Sequence, residues 1–576
     1  MGARRGRVRG REGPGLVVLS RADALAALQR EAFDMVVIGG GITGAGVALD
    51  AATRGFSVAL VERDDFACGT SSRSSKMVHG GLRYLQNFDL GLVREALLER
   101  QLMVRLAPHL VKPLPFLVPA FEGARRDRRI GVGLNMYDVM SLSGPRARRR
   151  AAREAALEGA EHWSPDRHRT IDGDEVLELI PALAGRDPSS AYLFYDCQTD
   201  DSRLVLTVLG EAERFGAVCV NGASVVDLLE ERGRAAGVVC EEQESGERFA
   251  VAAANVVNAT GVWADRIRPE ELLGEEDVPV IRPSRGTHVL LDRERLPMNA
   301  AAVLPAGEQR TIFALPWLGQ TLVGTTDIDY EGSLEHPEVS DADVRYLLEA
   351  VNSFFETDFG PGDLAGAYAG VRPLISAADP KKSVDISRKA ELYETSSGMV
   401  TITGGKLTTW RRMAKMVVDR IVEREFREAP CRTHEIPLGH PVEVAELPDV
   451  PQVTERSRTH LADRYGLFAE SVLKLCAADS DLARPIVDGL PDLLAEVVVA
   501  ARHEQARTVA DVLLRRTRLG LLAGRRLVED RHTVGRVAKV MGAERGWGRR
   551  QTRRAAEAWL ETVAAERLVS GEPLRA

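Results

Sequence analysis

Three observations predict an α/β protein that ends in a helical domain. A βαβ unit occupies residues 34–62, β-like runs recur between 217 and 403, and residues 454–567 read almost wholly as helix. The strands are spread along the chain, so two sheet domains threaded through each other are expected ahead of the helical one. A chain of 576 residues can bury more than one core, and 44% hydrophobic with 28% charged residues is a globular balance.

The elements follow in order. Arginines at 4, 5, 7, 9 and 11 among glycines mark residues 1–19 as a basic, solvated tail, and residues 21–31 as a short helix. In "DMVVIGGGITGAGVALDAATRGFSVALVE" a buried strand from Met35 to Ile38 meets a glycine-rich turn. A helix from Ile42 to Arg54 follows, Gly55 ends it, and a strand from Ser57 to Val61 closes the unit. Residues 89–107 are helical, and 108–120 are extended because Pro108, Pro113, Pro115 and Pro119 punctuate them. Strands are expected at 217–220, 236–240, 249–257, 287–291, 310–315, 321–325 and 399–403, the last leading through "GGK" into a helix over about 407–425.

Composition narrows the function. A net charge of -8 argues against a nucleic-acid partner. No apolar run approaches the roughly 18 residues that span a bilayer. The six cysteines show neither CxxC pairing nor metal-ligand spacing, so free thiols in a reducing compartment and no metal are expected.

Gly39, Gly41 and Gly44 form GxGxxG between strand and helix. They supply the tight turn, the close approach to a pyrophosphate and the close helix packing of a dinucleotide site. The helix adds free N–H groups and its positive end. Glu62, at the end of the second strand, is placed to accept from ribose hydroxyls, and its charge disfavours a 2′-phosphate. This unit alone leaves FAD and NAD open. Two junctions favour FAD. Ala259, Thr260 and Gly261 end a strand with small residues that a large ligand can approach. Gly404, Gly405, Lys406 and Leu407 start a helix whose positive end, with the lysine, would stabilise negative charge on a reduced flavin.

The chain resembles the FAD-dependent, aerobic respiratory glycerol-3-phosphate dehydrogenases. The matching stretches are "VVIGGGITGAG", "TSSRSSKMVHGGLRYL", "NATGVWAD", "SRGTHVLL", "GTTDIDY", "YAGVRPL", "GGKLTTWRRMA" and "ARHEQARTVADVLLRRTRLG". Thr43 and Trp410 stand where many relatives carry asparagine and tyrosine. The resemblance implies a fold like D-amino-acid oxidase: a Rossmann-type FAD domain (34–110, 200–285 and 370–428) interleaved with a mixed-sheet substrate domain (111–199 and 286–369). A basic extension (1–33) precedes them and an all-helical domain (429–576) follows. It implies oxidation of sn-glycerol 3-phosphate to dihydroxyacetone phosphate, with electrons passed to a membrane quinone. It also implies a cytoplasmic protein in peripheral contact with the membrane, and leaves room for a homodimer. An oxidase that uses oxygen shares these motifs; a flavin amine or glycine oxidase would usually lack the helical domain.

The resemblance also gives residues 71–85 their role. Ser71, Ser72, Ser74 and Ser75 would bond to the ribityl and phosphate groups of FAD, and Lys76 would add a cation. His79, Gly80 and Gly81 would lie against the isoalloxazine. Arg83 and Tyr84 would enter the substrate cavity, where Arg83 and Arg372 bind the phosphate dianion. His288 would take the C2 hydroxyl proton, with His79 the alternative base, and Arg372 would stabilise the developing alkoxide. The stretch "ARHEQARTVADVLLRRTRLG" reads as an amphipathic helix, and its arginines are expected in salt bridges on a packed helical cap.

Overall fold

The computed structural model describes residues 20–81, 90–121, 128–141, 167–267, 280–307, 310–376 and 390–569. The basic tail and the pair Arg83 and Tyr84 lie outside them.

Two sheets carry the fold. The first contains β1 (Ala32–Ile38), β2 (Val58–Val61), β7 (Val218–Val220), β8 (Ala223–Glu231), β9 (Arg234–Glu242), β10 (Arg248–Asn258), β17 (Ala390–Glu394) and β18 (Val400–Gly404). Its order is β17-β18-β10-β1-β2-β7, with β9 also pairing β10 and β8 pairing β9. The pairs β10–β1, β1–β2 and β2–β7 are parallel, which explains why β1 and β2 read as continuous apolar runs. Helices Ile42–Thr53, Asp201–Arg214 and Trp410–Arg424 share one core with the inner strands. Trp410 is buried there, and a Cβ on Gly46 would come within 2.5 Å of its ring, so a glycine must face it.

The second sheet draws on β3 (Met77–Val78), β4 (Val111–Phe121), β5 (Arg169–Asp172), β6 (Pro188–Thr199), β11 (Val280–Asp292), β12 (Ala301–Ala306), β13 (Arg310–Trp317), β14 (Gln320–Gly324), β15 (Ile328–Asp329) and β16 (Leu364–Ser376). The proline-punctuated segment is β4. Pro113, Pro115 and Pro119 share parity, so their missing N–H groups fall on one edge and the ladder to β6 survives on the other. The expected domain boundaries at 285/286 and 369/370 fall inside β11 and β16, which pair with each other in the second sheet.

The C-terminal region is helical as expected, with one local difference. "ARHEQARTVADVLLRRTRLG" is not a single helix. Helix Leu494–His503 ends, a turn intervenes, Val509–Asp511 restarts, Val512–Arg516 is π-helical, and Arg518 adopts a left-handed conformation at φ 65° before Leu519–Leu522. Buried charge pairing at Arg515, Arg516 and Arg518 overrides the helical period.

Candidate active site

One cavity of about 630 Å³ joins the two sheets, within the range of small-molecule sites. Its first wall is the glycine turn. Gly39 has φ +110°, and a Cβ there would lie 2.7 Å from the Ala259 carbonyl oxygen. A Cβ on Gly44 would lie 1.9 Å from the Gly39 oxygen, so Gly44 serves helix packing and does not face the cavity. Gly41 borders the cavity, and there a Cβ would meet only the Ser71 side chain. Glu62 accepts from the Gly40 and Asp64 backbone N–H groups at 2.7 and 2.9 Å, which ties the turn to β2. Burial pushes its carboxyl above the usual carboxylate range, against those two bonds.

The remaining walls follow from the junctions read in the sequence. Ala259, Thr260 and Gly261 line the cavity at the end of β10, and Gly404, Gly405, Lys406 and Leu407 line it beyond β18. Ser71, Ser74, Ser75, His79 and Gly81 line a third side. Ser71 Oγ accepts from the Ile42 N–H at 2.9 Å, tying the serine stretch to the helix start. His79 is held through its backbone by Thr408, which accepts from its N–H at 3.1 Å and donates to its carbonyl at 3.2 Å.

Three residues of that stretch turn away from the cavity, contrary to expectation. Lys76 is fully buried behind the serines, its ammonium donating to Asp201 at 2.8 Å and to the Ser72 carbonyl at 2.6 Å. Burial and the charge of Arg518 pull that ammonium down to about 7. Ser72 supplies this carbonyl to Lys76 and to Arg518 instead of facing a cofactor. Gly80 donates to the Tyr137 hydroxyl at 2.9 Å, and a Cβ on it would strike Leu97. Asp201 recruits Lys76 from 125 residues away, a partnership local sequence does not announce.

A fourth side of the cavity is built on β11 and β16. They run antiparallel with His288 opposite Tyr368 and Ser284 opposite Arg372. The two-residue strand period therefore places His288, Gly286 and Arg372 on one face. A Cβ on Gly286 would fall 2.6 Å from Arg372 Nη2, so this glycine opens the space the guanidinium occupies. Arg372 donates to Asp327 at 2.8 Å and to the Thr325 hydroxyl at 3.3 Å, and remains a quarter exposed on the cavity side. His288 is 2% exposed, stacks on Tyr368 with ring centroids 4.8 Å apart, and its Nε2 lies 2.9 Å from Ser75 Oγ. Burial, then Lys76 and Arg372, hold its imidazole well below the ordinary histidine value, so it is neutral near pH 7. Sequence reasoning missed Asp327, Ser75 as the partner of His288, and the Arg63–Trp263 contact at 5.3 Å on the cavity wall. "GTTDIDY", which holds Asp327, was the available signal for the first.

A bare glycine turn, a helix start, a carboxylate at the end of β2 and a second helix start all open on one cavity, which fits a dinucleotide with a flavin. The comparisons agree. A family model of FAD dependent oxidoreductases matches residues 34–420, and one for the C-terminal domain of alpha-glycerophosphate oxidase matches 402–552. Glycerol-3-phosphate dehydrogenase 2 of Mycobacterium tuberculosis is 39% identical over 562 residues, covering 96% of this chain and 92% of that protein. The aerobic glycerol-3-phosphate dehydrogenase of Bacillus subtilis is 34% identical, covering 87% and 89%. The crystal structure of glycerol-3-phosphate dehydrogenase from Bacillus halodurans, complexed with FAD, superposes with a TM-score of 0.69 at 27% identity, over 96% of this chain and 99% of that one. The cofactor of this protein is FAD, and the chain belongs to the family of FAD-dependent glycerol-3-phosphate dehydrogenases.

Proposed function

We propose that the protein oxidises sn-glycerol 3-phosphate to dihydroxyacetone phosphate and passes the electrons to a membrane quinone while in peripheral contact with the bilayer. The observation that carries this reading is Arg372 beside His288 in the cavity that also holds the glycine turn. When bound, FAD supplies the acceptor for the hydride that leaves C2. Arg372, with Arg83 and Tyr84 from the neighbouring stretch, holds the phosphate dianion by charge-assisted hydrogen bonds. Asp327 fixes the guanidinium in that orientation. His288, kept neutral by its surroundings, accepts the proton of the C2 hydroxyl while Ser75 orients its ring. Ser71, Ser74, Ser75, His79 and Gly81 pack along the cofactor, as do residues 259–261 and 404–407.

The test is anaerobic addition of glycerol 3-phosphate to the purified yellow protein. The flavin absorbance should bleach within one turnover and return on adding a soluble quinone analogue. No bleaching would overturn the substrate assignment. Rapid recolouring by oxygen with stoichiometric peroxide, and none with the quinone, would replace the quinone by oxygen as acceptor. No described helix is long and apolar enough to cross a membrane.

A further inference from the structure

His288 is held by more than Ser75. Its ring lies on that of Tyr368 with the planes 11° from parallel. Tyr368 is itself buried, and its hydroxyl donates to the Ser74 carbonyl at 2.7 Å. The Lys76 ammonium lies 4.6 Å from the Tyr368 ring centroid, within the range of a cation–π contact. Ser74, Ser75 and Lys76 thus meet the two stacked rings at three points. A Cβ on Gly324 would fall 2.2 Å from His288 Cδ2, so the end of β14 closes on the imidazole as well.

Long-range contacts put the ammonium there. Asp201 accepts from Lys76 at 2.8 Å, from the Ser74 N–H at 3.0 Å, from the Ser74 hydroxyl at 2.7 Å and from Arg518 at 3.1 Å. Without Lys76 the carboxylate would still have Ser74 and Arg518. Burying an ammonium is costly, so the needs of Asp201 do not account for the lysine. An apolar side chain of the same length would lack only the charge that Lys76 sets beside the stack.

The imidazole meets charge from several elements. Lys76 comes from the serine stretch, Tyr368 and Arg372 from β16, and Asp327, the partner of Arg372, from the segment after β14. Asp201, Asp200 and Arg518 stand behind Lys76. Lys76 and Arg372 both oppose a proton on His288. Lys76 is charged below about pH 7, the range in which His288 would take that proton.

We propose that Lys76 and Tyr368 are positioning residues for the base: Tyr368 fixes the plane of the His288 ring, and the Lys76 charge beside the stack keeps the imidazole unprotonated and able to accept. The inference rests on His288 as the base of the proposed reaction. It also carries the helical domain into the site, because Arg518 helps to hold the carboxylate that holds Lys76.

Substitutions in the full-length holoenzyme separate plane from charge. Tyr368→Leu removes the stacked ring and Tyr368→Phe keeps it. At pH 8, where His288 is neutral in each protein, Tyr368→Leu should lower kcat roughly tenfold at constant KM, and Tyr368→Phe should restore it. Equal activity of the two variants would overturn the role of the ring. Lys76→Met keeps the length and removes the charge. With FAD retained, it should move the acid limb of kcat/KM upward by about half to one pH unit. An unmoved limb would overturn the role of the charge. Lys76→Gln, which can still donate to Asp201, repeats the test should Lys76→Met lose FAD. A substrate-free measurement keeps this inference apart from the reaction itself. Stability in urea should fall between pH 6 and pH 5, because the unfolded chain takes up the His288 proton that the folded chain refuses. Lys76 is protonated in both states there. The fall should be shallower in Lys76→Met than in wild type, and an equal fall would overturn the proposal. A shallower fall in a protein whose flavin glycerol 3-phosphate does not bleach would remove the substrate and leave the Lys76 charge in place.

Discussion

Two arginine-rich stretches of the helical domain look alike as text and behave as opposites. "RRTR", residues 515–518, is buried. Arg515 and Arg516 both reach Asp65 of the nucleotide-binding sheet domain, at 2.5 and 2.8 Å, and Arg515 also pairs with Asp511. Arg518 donates to Asp201 at 3.1 Å and to the Ser72 carbonyl at 2.9 Å. "RRQTRR", residues 549–554, is largely exposed, and among the described residues its one carboxylate contact is the loose Arg553–Glu557 pair. The first set is held by Asp65 and Asp201 from far upstream and by Asp511 nearby; the second is left facing outward. Arg372 lies between these extremes, held by Asp327 and a quarter exposed on the cavity wall. An arginine is structural or available according to the acids the fold brings to it, not its neighbours in sequence.

That contrast can be broken by substitution. Arg516→Ala leaves Asp65 buried with only Arg515 and Asn221 as partners, and the loss of stability should be about 3–5 kcal/mol. Urea denaturation checks it; a loss below 1 kcal/mol would place Asp65 in contact with water. Arg372→Ala should lower kcat/KM for glycerol 3-phosphate roughly 100-fold, about 2.7 kcal/mol, with flavin content retained. Normal turnover would remove the arginine from the phosphate site. The same variant also sharpens the electrostatics. Arg372 is one of the charges that depress His288, so its removal should move the acid limb of the kcat/KM profile upward in pH. In the wild type that limb should lie below the ordinary histidine value of about 6.5. The sign for stability agrees. His288 is neutral when folded and takes a proton when unfolded below about 6.5, so stability is full above that pH and declines as pH falls. His288→Gln should flatten that decline and lower kcat. Smallest of all, Arg550→Ala should change stability by no more than about 0.5 kcal/mol, and a larger loss would mean that the exposed set is structural too.

What was legible in the sequence follows the range of the interactions. The glycine turn, Glu62 and the junctions at 259–261 and 404–407 are local in the chain, and they line one cavity, apart from Gly44, which packs the helix. The parallel strands, the proline-bearing strand and the helical C-terminal region were legible for the same reason. Lys76 was not, because Asp201 decides its direction. The break within 501–520 was not, because Asp65 and Asp201 hold its arginines from far upstream. The boundaries at 285/286 and 369/370 fall within β11 and β16, which pair with each other over most of their length, a pairing that local sequence does not announce.

The pairing of Asp65 has a consequence for how the protein is made. Its guanidinium partners leave the ribosome 450 and 451 residues after the acid. The glycine turn can fold early, but the ground beneath Glu62 and the serine stretch is not secured until residues 515 and 516 have been synthesised. Contacts of such long sequence separation form slowly. A nascent chain stalled before residue 515 should thus hold flavin loosely.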